Sequence, residues 1–328
     1  MKLVTMANGG RDGALFVVSQ DGARAVSAAT IAPTLQDAMD RWAEAEPALR
    51  RLAETLEAGE VEAGSFDPAK ALAPLPRAWQ WLDGSAFLSH GALMQTAFKS
   101  PPHENDRPLM YQGMSHKFLA PTQDVPLPDE ADGIDFEGEF GVILDETPMG
   151  VTPAEALGHI RLIVQVNDWS LRTLAPIEMK TGFGWIHAKP ACSIAPLALT
   201  PDELGDAWKD GRVHLPLRVW WNGALFGQPN GAAMAYGFHE LVAHAARTRD
   251  LCAGTIIGSG TVSNPDYRAT GSTCIAERRG IEIIDTGAPV TSFMRFGDEV
   301  RMEAGPVSGA SPFGAIHQKV VKARVERA

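Results

Sequence analysis

Three acidic residues alternate along a segment whose sequence favours a β-strand. Residues 133–144 read Gly-Ile-Asp-Phe-Glu-Gly-Glu-Phe-Gly-Val-Ile-Leu. In an extended strand, Asp135, Glu137 and Glu139 project from one face, while the two phenylalanines project from the other. Carboxylates this close repel each other unless a proton or a cation lies between them. The pattern therefore predicts either a divalent-metal site or a strand face that is exposed to water.

Two aspartates extend this candidate site. Asp168 stands in Asn-Asp-Trp-Ser, at the end of an apolar segment that we expect to be a buried strand, although a turn or helix cap is the alternative. Asp83 follows Trp-Gln-Trp-Leu, and His90 lies seven residues later. Together with Glu137 and Glu139, the two aspartates form an all-oxygen ligand set. Such a set suits Mg²⁺, Ca²⁺ or Mn²⁺ better than zinc.

Four carboxylates around one dication leave an excess of negative charge, so we expect a nearby cation. Lys189, in the segment Trp-Ile-His-Ala-Lys-Pro, is the candidate. The alternative for Lys189 is an ordinary surface lysine, which is the usual environment of this residue type.

The elements that must position these residues are mainly strands. Alternating apolar residues over 212–221 predict a strand, and Asn222-Gly223 predicts a type I′ hairpin turn after it. A further strand pair is expected around 296–298, and a helix over 236–249. Thr-Pro-x-Glu sequences at 152–155 and 200–203 predict two helices that begin with a capping box. Many strands with few helices favour a mixed or antiparallel, β-rich α+β architecture over a doubly wound parallel sheet.

The first 75 residues have the features of a smaller α+β domain. We expect two strands, over 13–19 and 24–26, followed by two helices, the second of which begins at Pro47 and ends at Gly59. The proline-containing segment 71–76 reads as an extended connection. We therefore place a small domain at 1–75 and a metal-dependent catalytic domain at 76–328.

Composition and charge exclude several classes of protein. The chain has 328 residues, of which 45% are hydrophobic and 21% charged, as in ordinary globular proteins. Its formal net charge of −11 and the lack of a polybasic block argue against nucleic acid and anionic membrane as partners. Without a signal peptide or an apolar membrane-spanning stretch, we expect a cytoplasmic protein.

The cysteines do not predict a disulfide framework. There are three, with no Cys-x-x-Cys spacing that would indicate a zinc site. Cys252 and Cys274 lie among apolar and small residues, so we expect both to be buried and inert.

In order and spacing, these motifs resemble those of the fumarylacetoacetate hydrolase family over roughly residues 76–320. The motifs are Asp83 with His90, Phe136-Glu137-Gly138-Glu139, Asn167-Asp168-Trp169-Ser170, Lys189-Pro190 and Gly258-Ser259-Gly260-Thr261-Val262-Ser263. The first 75 residues look like the smaller domain of longer bacterial members. The resemblance implies a mixed β-sandwich-like roll and a homodimer.

The resemblance also implies a role for individual residues. Mg²⁺ or Ca²⁺, with Mn²⁺ as a third candidate, would be held by the four carboxylates. His90 corresponds to the family's catalytic base and Lys189 to its lysine beside the metal. The residues that match the family's metal ligands are Asp83, Glu137, Glu139 and Asp168. Those that match its substrate contacts are Tyr111 and Thr261.

The sequence departs from the family pattern at several positions. The glutamate that holds the catalytic histidine is expected near Ile275, and the nearest acid is Glu277, on the same face if this segment is a strand. The family's substrate-binding arginine is Lys99 here, which loses the bidentate geometry toward a carboxylate. A family tyrosine is Ser85, and a family glutamine is Ala175. These changes affect the choice of substrate more than the metal chemistry.

The implied activity is hydrolysis of a carbon–carbon bond in a 1,3-dioxo acid, such as fumarylacetoacetate, to fumarate and acetoacetate in aromatic amino acid catabolism. Alternatives in the same superfamily are acylpyruvate hydrolysis, oxaloacetate decarboxylation, and hydration or isomerisation of a 2-oxo acid. Contact between Glu277 and His90 would favour hydrolysis. A non-catalytic binding protein is the third candidate, and the presence of both His90 and Lys189 argues against it.

Overall fold

The computed structural model describes residues 1–98, 107–306 and 309–324, and strands dominate it. The strands are β1 (Lys2–Met6), β2 (Ala14–Val18), β3 (Arg24–Ser27), β4 (Gly64–Ser65), β5 (Trp81–Gly84), β6 (Met110–Gly113), β7 (Val125–Leu127), β8 (Ile134–Asp135), β9 (Gly138–Leu144), β10 (Ile160–Asn167), β11 (Ser170–Leu171), β12 (Ser193–Ile194), β13 (Leu197–Leu199), β14 (Trp208–Lys209), β15 (Arg212–Val213), β16 (Leu217–Trp221), β17 (Ala224–Gly227), β18 (Ile256–Gly258), β19 (Glu299–Ala304) and β20 (Ile316–Lys322). The α-helices are α1 (Leu35–Met39), α2 (Trp42–Ala58), α3 (Leu88–Phe98), α4 (Pro153–Ala156), α5 (Ala175–Met179), α6 (Phe238–Ala245), α7 (Tyr267–Thr270) and α8 (Ile275–Thr286).

Two sheets form the framework. The larger has eleven strands in the order β4-β3-β2-β1-β13-β10-β9-β18-β5-β6, with β12 paired to β10. The smaller has the order β17-β16-β19-β20-β7. Most neighbours are antiparallel, whereas β18 with β5 and β20 with β7 are parallel. The predicted β-rich, mixed α+β architecture is therefore confirmed.

The larger sheet is covered on both faces. On β9, Phe140 and Val142 belong to a core that also contains Val219 of β16 and Met302 of β19. Ile143, on the opposite face of the same strand, belongs to a core with Leu49 and Leu56 of α2. Because both faces are buried, β9 is apolar at nearly every position, and an acidic residue there is costly unless it has a partner.

The amino-terminal segment differs from the prediction at two places. β1 was not predicted, and it pairs with both β2 and β13. One sheet therefore contains strands from both sides of the boundary that we place at residue 75. Pro47 does not begin a helix but lies inside α2. Trp42 and Ala45 are buried, and their packing keeps the turn before Pro47 helical although proline removes one backbone donor. Gly59 ends α2 with φ 71°, as predicted.

A predicted helix cap and a predicted hairpin turn after residue 75 are confirmed. Thr152 forms a capping box with Glu155 at the start of α4. Asn222 and Gly223 have φ values of 49° and 80° and join β16 to β17, as a type I′ turn requires.

Other predictions for this part are wrong. Thr200 makes no cap, since its hydroxyl accepts a hydrogen bond from the Met1 amino group, and a 3-10 helix over 201–207 follows. The strand predicted over 212–221 is split into β15 and β16, with Pro216 in the interruption. The strand pair predicted around 296–298 lacks its first strand, since the segment before Phe296 forms only a single bridge, from Met294 to Ile134. Cys252 is exposed, whereas Cys274 is buried as expected.

Across the part of the chain that the structure describes, no helix is both long and apolar enough to cross a bilayer.

Candidate active site

Three carboxylates meet at the centre of the large sheet. Asp83 lies in β5, Glu139 in β9, and Asp168 directly after β10, and these strands are close in the order β10-β9-β18-β5. One oxygen from each side chain lies within 4.8 Å of the others. All three residues are buried, with Asp83 the most exposed at 4%. We call these three residues the acidic cluster.

The Gly-Ser-Gly sequence after β18 makes room for the acidic cluster. A Cβ atom on Gly258 would lie 2.3 Å from Oδ1 of Asp83. Gly260 has φ 73° and donates its backbone N–H to the same oxygen at 3.1 Å. Gly258 is therefore required by the close approach of the carboxylate, and Gly260 by its positive φ and the Gly84 carbonyl oxygen, 2.4 Å from where its Cβ would lie.

The electrostatics of the acidic cluster are unbalanced. Both carboxylate oxygens of Glu139 are buried, and neither has a hydrogen-bond partner among the described residues. Burial and then the charges of Asp83 and Asp168 hold the pKa of Glu139 well above its usual range. Burial and then the charge of Asp168 raise the pKa of Asp83 to about 8. An oxygen-ligated divalent cation fits this donor set and would remove the imbalance.

Asp168 has the most partners in the acidic cluster. The ammonium of Lys189 lies 2.5 Å from Oδ2, and the Tyr111 hydroxyl donates to the same oxygen at 2.8 Å. The Cys192 thiol donates to Oδ1 at 2.9 Å. Burial lowers the pKa of Lys189, but Asp168 and Glu137 outweigh it, so the net shift is upward. Lys189 is therefore held as a cation beside the carboxylates.

Glu137 lies outside the acidic cluster. The predicted continuous strand over 133–144 is interrupted between β8 and β9, where the backbone N–H of Glu137 donates to the Asn167 side chain. Ser170 and Thr261 donate hydroxyls to the Glu137 carboxylate at 3.0 and 2.8 Å. Arg172 forms an ion pair with it, and Lys189 lies 3.3 Å away. Burial opposes ionisation, but these two cations bring the pKa of Glu137 below its usual range.

Asp135 stabilises the start of α8. Its carboxylate accepts hydrogen bonds from the backbone N–H groups of Ile275 and Ala276, at the start of α8, and from Arg172. A carboxylate at a helix N-terminus is favoured by the unsatisfied N–H groups and the helix dipole. Asp135 therefore fixes α8 against β8.

His90 and Glu277 form a pair where α3 packs against α8. Nδ1 of His90, on α3, lies 3.6 Å from Oε1 of Glu277, on α8. Glu277 is fully buried and accepts a hydrogen bond of 2.5 Å from Ser263, which also accepts one from Ser89. A positive charge on His90 would lower the pKa of Glu137, so the pair lies within electrostatic reach of that carboxylate.

The prediction that Glu277 shares a strand face with Ile275 is wrong. Ile275 and Glu277 lie in a helix, where two residues are about 200° apart, and not on one face of a strand. Glu277 reaches His90 because α8 packs against α3, a long-range contact that local spacing does not reveal.

The predicted substrate contacts are only partly described by the structure. Tyr111 and Thr261 both point to the site, since their hydroxyls bond to Asp168 and Glu137. Trp185 packs edge-on against Tyr111, with ring centroids 4.7 Å apart. Lys99 lies outside the described residues.

Sequence reasoning missed three residues of the site: Ser170, Arg172 and Cys192. Asp168, Ser170 and Arg172 follow each other with the period of a strand, a signal that predicts a shared face. The contact of Cys192 with Asp168 depends on β12 lying beside β10, and no local pattern contains it.

Comparison with known proteins assigns the chain to a family. The model described as "Fumarylacetoacetate (FAA) hydrolase C-terminal" matches residues 80–321, and "Fumarylacetoacetase N-terminal domain 2" matches residues 1–77. The chain belongs to the fumarylacetoacetate hydrolase family. The resemblance seen in the sequence motifs, including the long form with an amino-terminal domain, is thereby confirmed.

Two curated relatives match part of the chain. A 2,4-didehydro-3-deoxy-L-rhamnonate hydrolase of Sphingomonas sp. (strain SKA58) is 29% identical over 157 residues, which is 47% of this chain and 52% of that protein. A fumarylacetoacetase of Caenorhabditis elegans is 26% identical over 211 residues, which is 56% of this chain and 50% of that protein. The chain thus spans about half the length of the curated relatives it matches.

Among solved structures, maleylpyruvate hydrolase from Sphingobium sp. SYK-6, in complex with manganese(II) and pyruvate, has a TM-score of 0.66. It is 18% identical, and the match covers 99% of this chain and 100% of that one. At this identity the likeness establishes the fold.

Proposed function

We propose that the protein is a metal-dependent hydrolase that cleaves a carbon–carbon bond of a 1,3-dioxo acid. One observation carries the proposal: Lys189 contacts Asp168 of the acidic cluster, and both Lys189 and His90 act electrostatically on Glu137, two residues from Glu139. These are the parts that such a reaction needs, namely a cation site, a charge partner and a general base. Membership of the family supports the same reaction class.

Asp83, Glu139 and Asp168 would hold Mg²⁺, Ca²⁺ or Mn²⁺, with Glu137 adjacent. When bound, the metal supplies Lewis-acid polarisation of a carbonyl and a template for two substrate oxygens. The protein contributes a buried and rigid set of ligands, because Gly260 orients Asp83 and Tyr111 orients Asp168.

His90 would act as the general base. Its Nδ1 faces the carboxylate of Glu277, so Nε2 remains to take a proton from water. The water oxygen then forms a bond to the carbonyl carbon. When the adjacent carbon–carbon bond breaks, its electron pair leaves with the other fragment as an enolate, and His90 returns the proton.

Lys189 would offset the negative charge that develops on the substrate. It is 6% exposed and remains protonated, because Asp168 and Glu137 stabilise the ammonium. A fixed cation in a buried site stabilises developing charge with little reorganisation. Tyr111, with Trp185 against it, would bound the substrate pocket.

Fumarylacetoacetate is the first substrate to test, since one relative is named a fumarylacetoacetase. The proposal includes a homodimer and a place in aromatic amino acid catabolism, both of which rest on the family resemblance. The contact of His90 with Glu277 favours hydrolysis over decarboxylation or isomerisation, because water activation needs an oriented base.

The decisive experiment is a turnover assay with fumarylacetoacetate, an acylpyruvate and oxaloacetate at fixed Mn²⁺ concentration. We expect loss of diketone absorbance, and a decrease in rate of about 10²- to 10⁴-fold in His90→Ala with Mn²⁺ binding at the acidic cluster unchanged. His116→Ala, at an exposed histidine, is the matched control. Turnover of oxaloacetate alone, or full activity in His90→Ala, contradicts the proposal.

A further inference from the structure

A second group of metal-ligating side chains lies where α3 meets α8. His90, Cys274 and Glu277 offer an imidazole nitrogen, a sulfur and a carboxylate oxygen, all within 4.8 Å of one another. The acidic cluster offers only oxygen, which suits hard cations. A mixed nitrogen, sulfur and oxygen set is typical of zinc instead.

Two atoms of this group are buried without a hydrogen-bond partner among the described residues. They are Nδ1 of His90 and Oε2 of Glu277. Glu277 is fully buried, and only its other oxygen is occupied, by Ser263. Buried polar atoms are nearly always paired, so an unpaired carboxylate oxygen beside an unpaired imidazole nitrogen indicates a missing ligand.

We propose that His90, Cys274 and Glu277 form a second metal site, which takes Zn²⁺ and leaves a fourth position for water. Binding is a ligand exchange without electron transfer: the Cys274 thiol releases its proton to solvent, and the thiolate sulfur bonds to the metal. Entry is available from the His90 side, where the side chain is 20% exposed.

The position of Cys274 explains how the site can exist without a permanent metal. Its sulfur accepts a hydrogen bond from the backbone N–H of Glu277 at 3.3 Å, as the N-cap of α8. The cap holds the sulfur next to the Glu277 carboxylate whether or not zinc is present. The site is therefore preformed by the helix start.

Zinc at this position would occupy the imidazole that we assign as the general base. It would thus inhibit the enzyme while the acidic cluster keeps its own cation. This consequence rests on the proposed function, whereas zinc binding itself does not.

Cobalt(II) is the probe, because a thiolate bound to Co²⁺ gives a charge-transfer absorption that carboxylates do not give. We expect the full chain to show this band at one equivalent of Co²⁺ beyond that bound by the acidic cluster, and Zn²⁺ to abolish it. Cys274→Ser keeps a residue that caps helices well and should lose the band. Cys192→Ser and Cys252→Ser, the other two cysteines, should keep it.

Several outcomes overturn the proposal. They are no band in the unchanged protein, a band that survives Cys274→Ser, and a band that disappears in Cys192→Ser. If Cys274→Ser fails to fold, His90→Ala tests the same claim, since it leaves the cap intact. It should weaken Co²⁺ binding at the thiolate at least about tenfold, and unchanged binding contradicts the site.

An activity measurement separates this proposal from the proposed function. In the Mn²⁺-loaded protein, added Zn²⁺ should inhibit turnover, and Cys274→Ser should need at least about tenfold more zinc for the same fractional inhibition. Equal sensitivity of the two proteins would refute inhibition through this site. If no substrate is turned over, the proposed function fails, and the cobalt spectrum still decides the zinc site.

Discussion

Glu137 and Glu139 are two residues apart and both buried, yet their surroundings are opposite. Glu137 is surrounded by Arg172, Lys189 and two hydroxyls, and its pKa lies below the usual range. Glu139 has no hydrogen-bond partner among the described residues, and its pKa lies well above it. Arg172 and Lys189 balance the charge of Glu137, whereas in the acidic cluster Lys189 contacts Asp168 and leaves the Glu139 carboxylate without a hydrogen-bond partner among the described residues. This difference supports our proposal that the acidic cluster is the metal-binding side.

The largest effect is expected from removing the cation on the Glu137 side. Arg172→Met leaves Asp135 and Glu137 buried without their shared partner, so the free energy of unfolding should fall by about 3–5 kcal/mol. Chemical denaturation of the metal-free protein measures it. Arg295→Met, at an exposed arginine, should change it by less than about 0.5 kcal/mol. A loss below about 1 kcal/mol for Arg172→Met would show that the Glu137 side does not depend on this charge.

The next effect concerns the Glu139 side. Asp168→Asn removes one charge from the acidic cluster and should weaken Mn²⁺ binding by at least about 100-fold, the upper end of the effect of residues that only orient ligands. Isothermal titration calorimetry measures this affinity, with Asp206→Asn, at an exposed aspartate, as the control. Unaltered Mn²⁺ affinity in Asp168→Asn would remove this residue from the ligand set.

The pH dependence of stability should differ between the metal-free and metal-loaded protein. The pKa of Asp83 is about 8 when folded and near 3.8 when unfolded, so the metal-free folded state binds more protons between these values. Its free energy of unfolding should therefore fall as pH rises from about 4 to 8, lowering the melting temperature by a few degrees.

Saturating Mn²⁺ should reverse this slope, because the metal competes with protons for the same oxygens. Glu139→Gln should flatten the slope in the metal-free protein, since it removes one of the repelling charges. A melting temperature that rises with pH in the metal-free protein would show that the acidic cluster is not protonated.

The smallest effect is expected from a hydroxyl. Ser170 donates to Glu137 at 3.0 Å and accepts from Lys189 at 2.8 Å, so Ser170→Ala should cost about 1 kcal/mol of stability. Denaturation measures it, with Thr122→Ala, at an exposed threonine, as the control. A cost above about 3 kcal/mol would mean that this hydroxyl, and not the cations, determines the Glu137 side.

Local patterns in the sequence anticipate part of this arrangement. The alternation around Glu139 and the strand before Asp168 predict which faces are acidic, and the charge excess points to Lys189. They do not predict that Glu137 and Glu139 separate, because the break between β8 and β9 depends on Asn167 of a neighbouring strand. Register between distant strands is a tertiary property that local spacing does not contain.

The helices show the same limit. Pro47 is a helix start by local preference, and packing of Trp42 overrides it. The face predicted for Glu277 assumes a strand, whereas Asp135 and Cys274 cap a helix there. In each case the deciding contact joins residues far apart in the chain or on opposite sides of an element boundary.

The most direct test of the metal site is a calorimetric titration of Mn²⁺ into the metal-free chain at pH 7, repeated in two buffers of different ionisation enthalpy. Because Asp83 has a pKa of about 8, we predict that tight binding of one ion at the acidic cluster releases protons to the buffer. We further predict that Asp83→Asn reduces this release and leaves the part that comes from Glu139, whose pKa is also raised. Binding without proton release, or no tight binding at all, would contradict the assignment of this cluster as the metal centre.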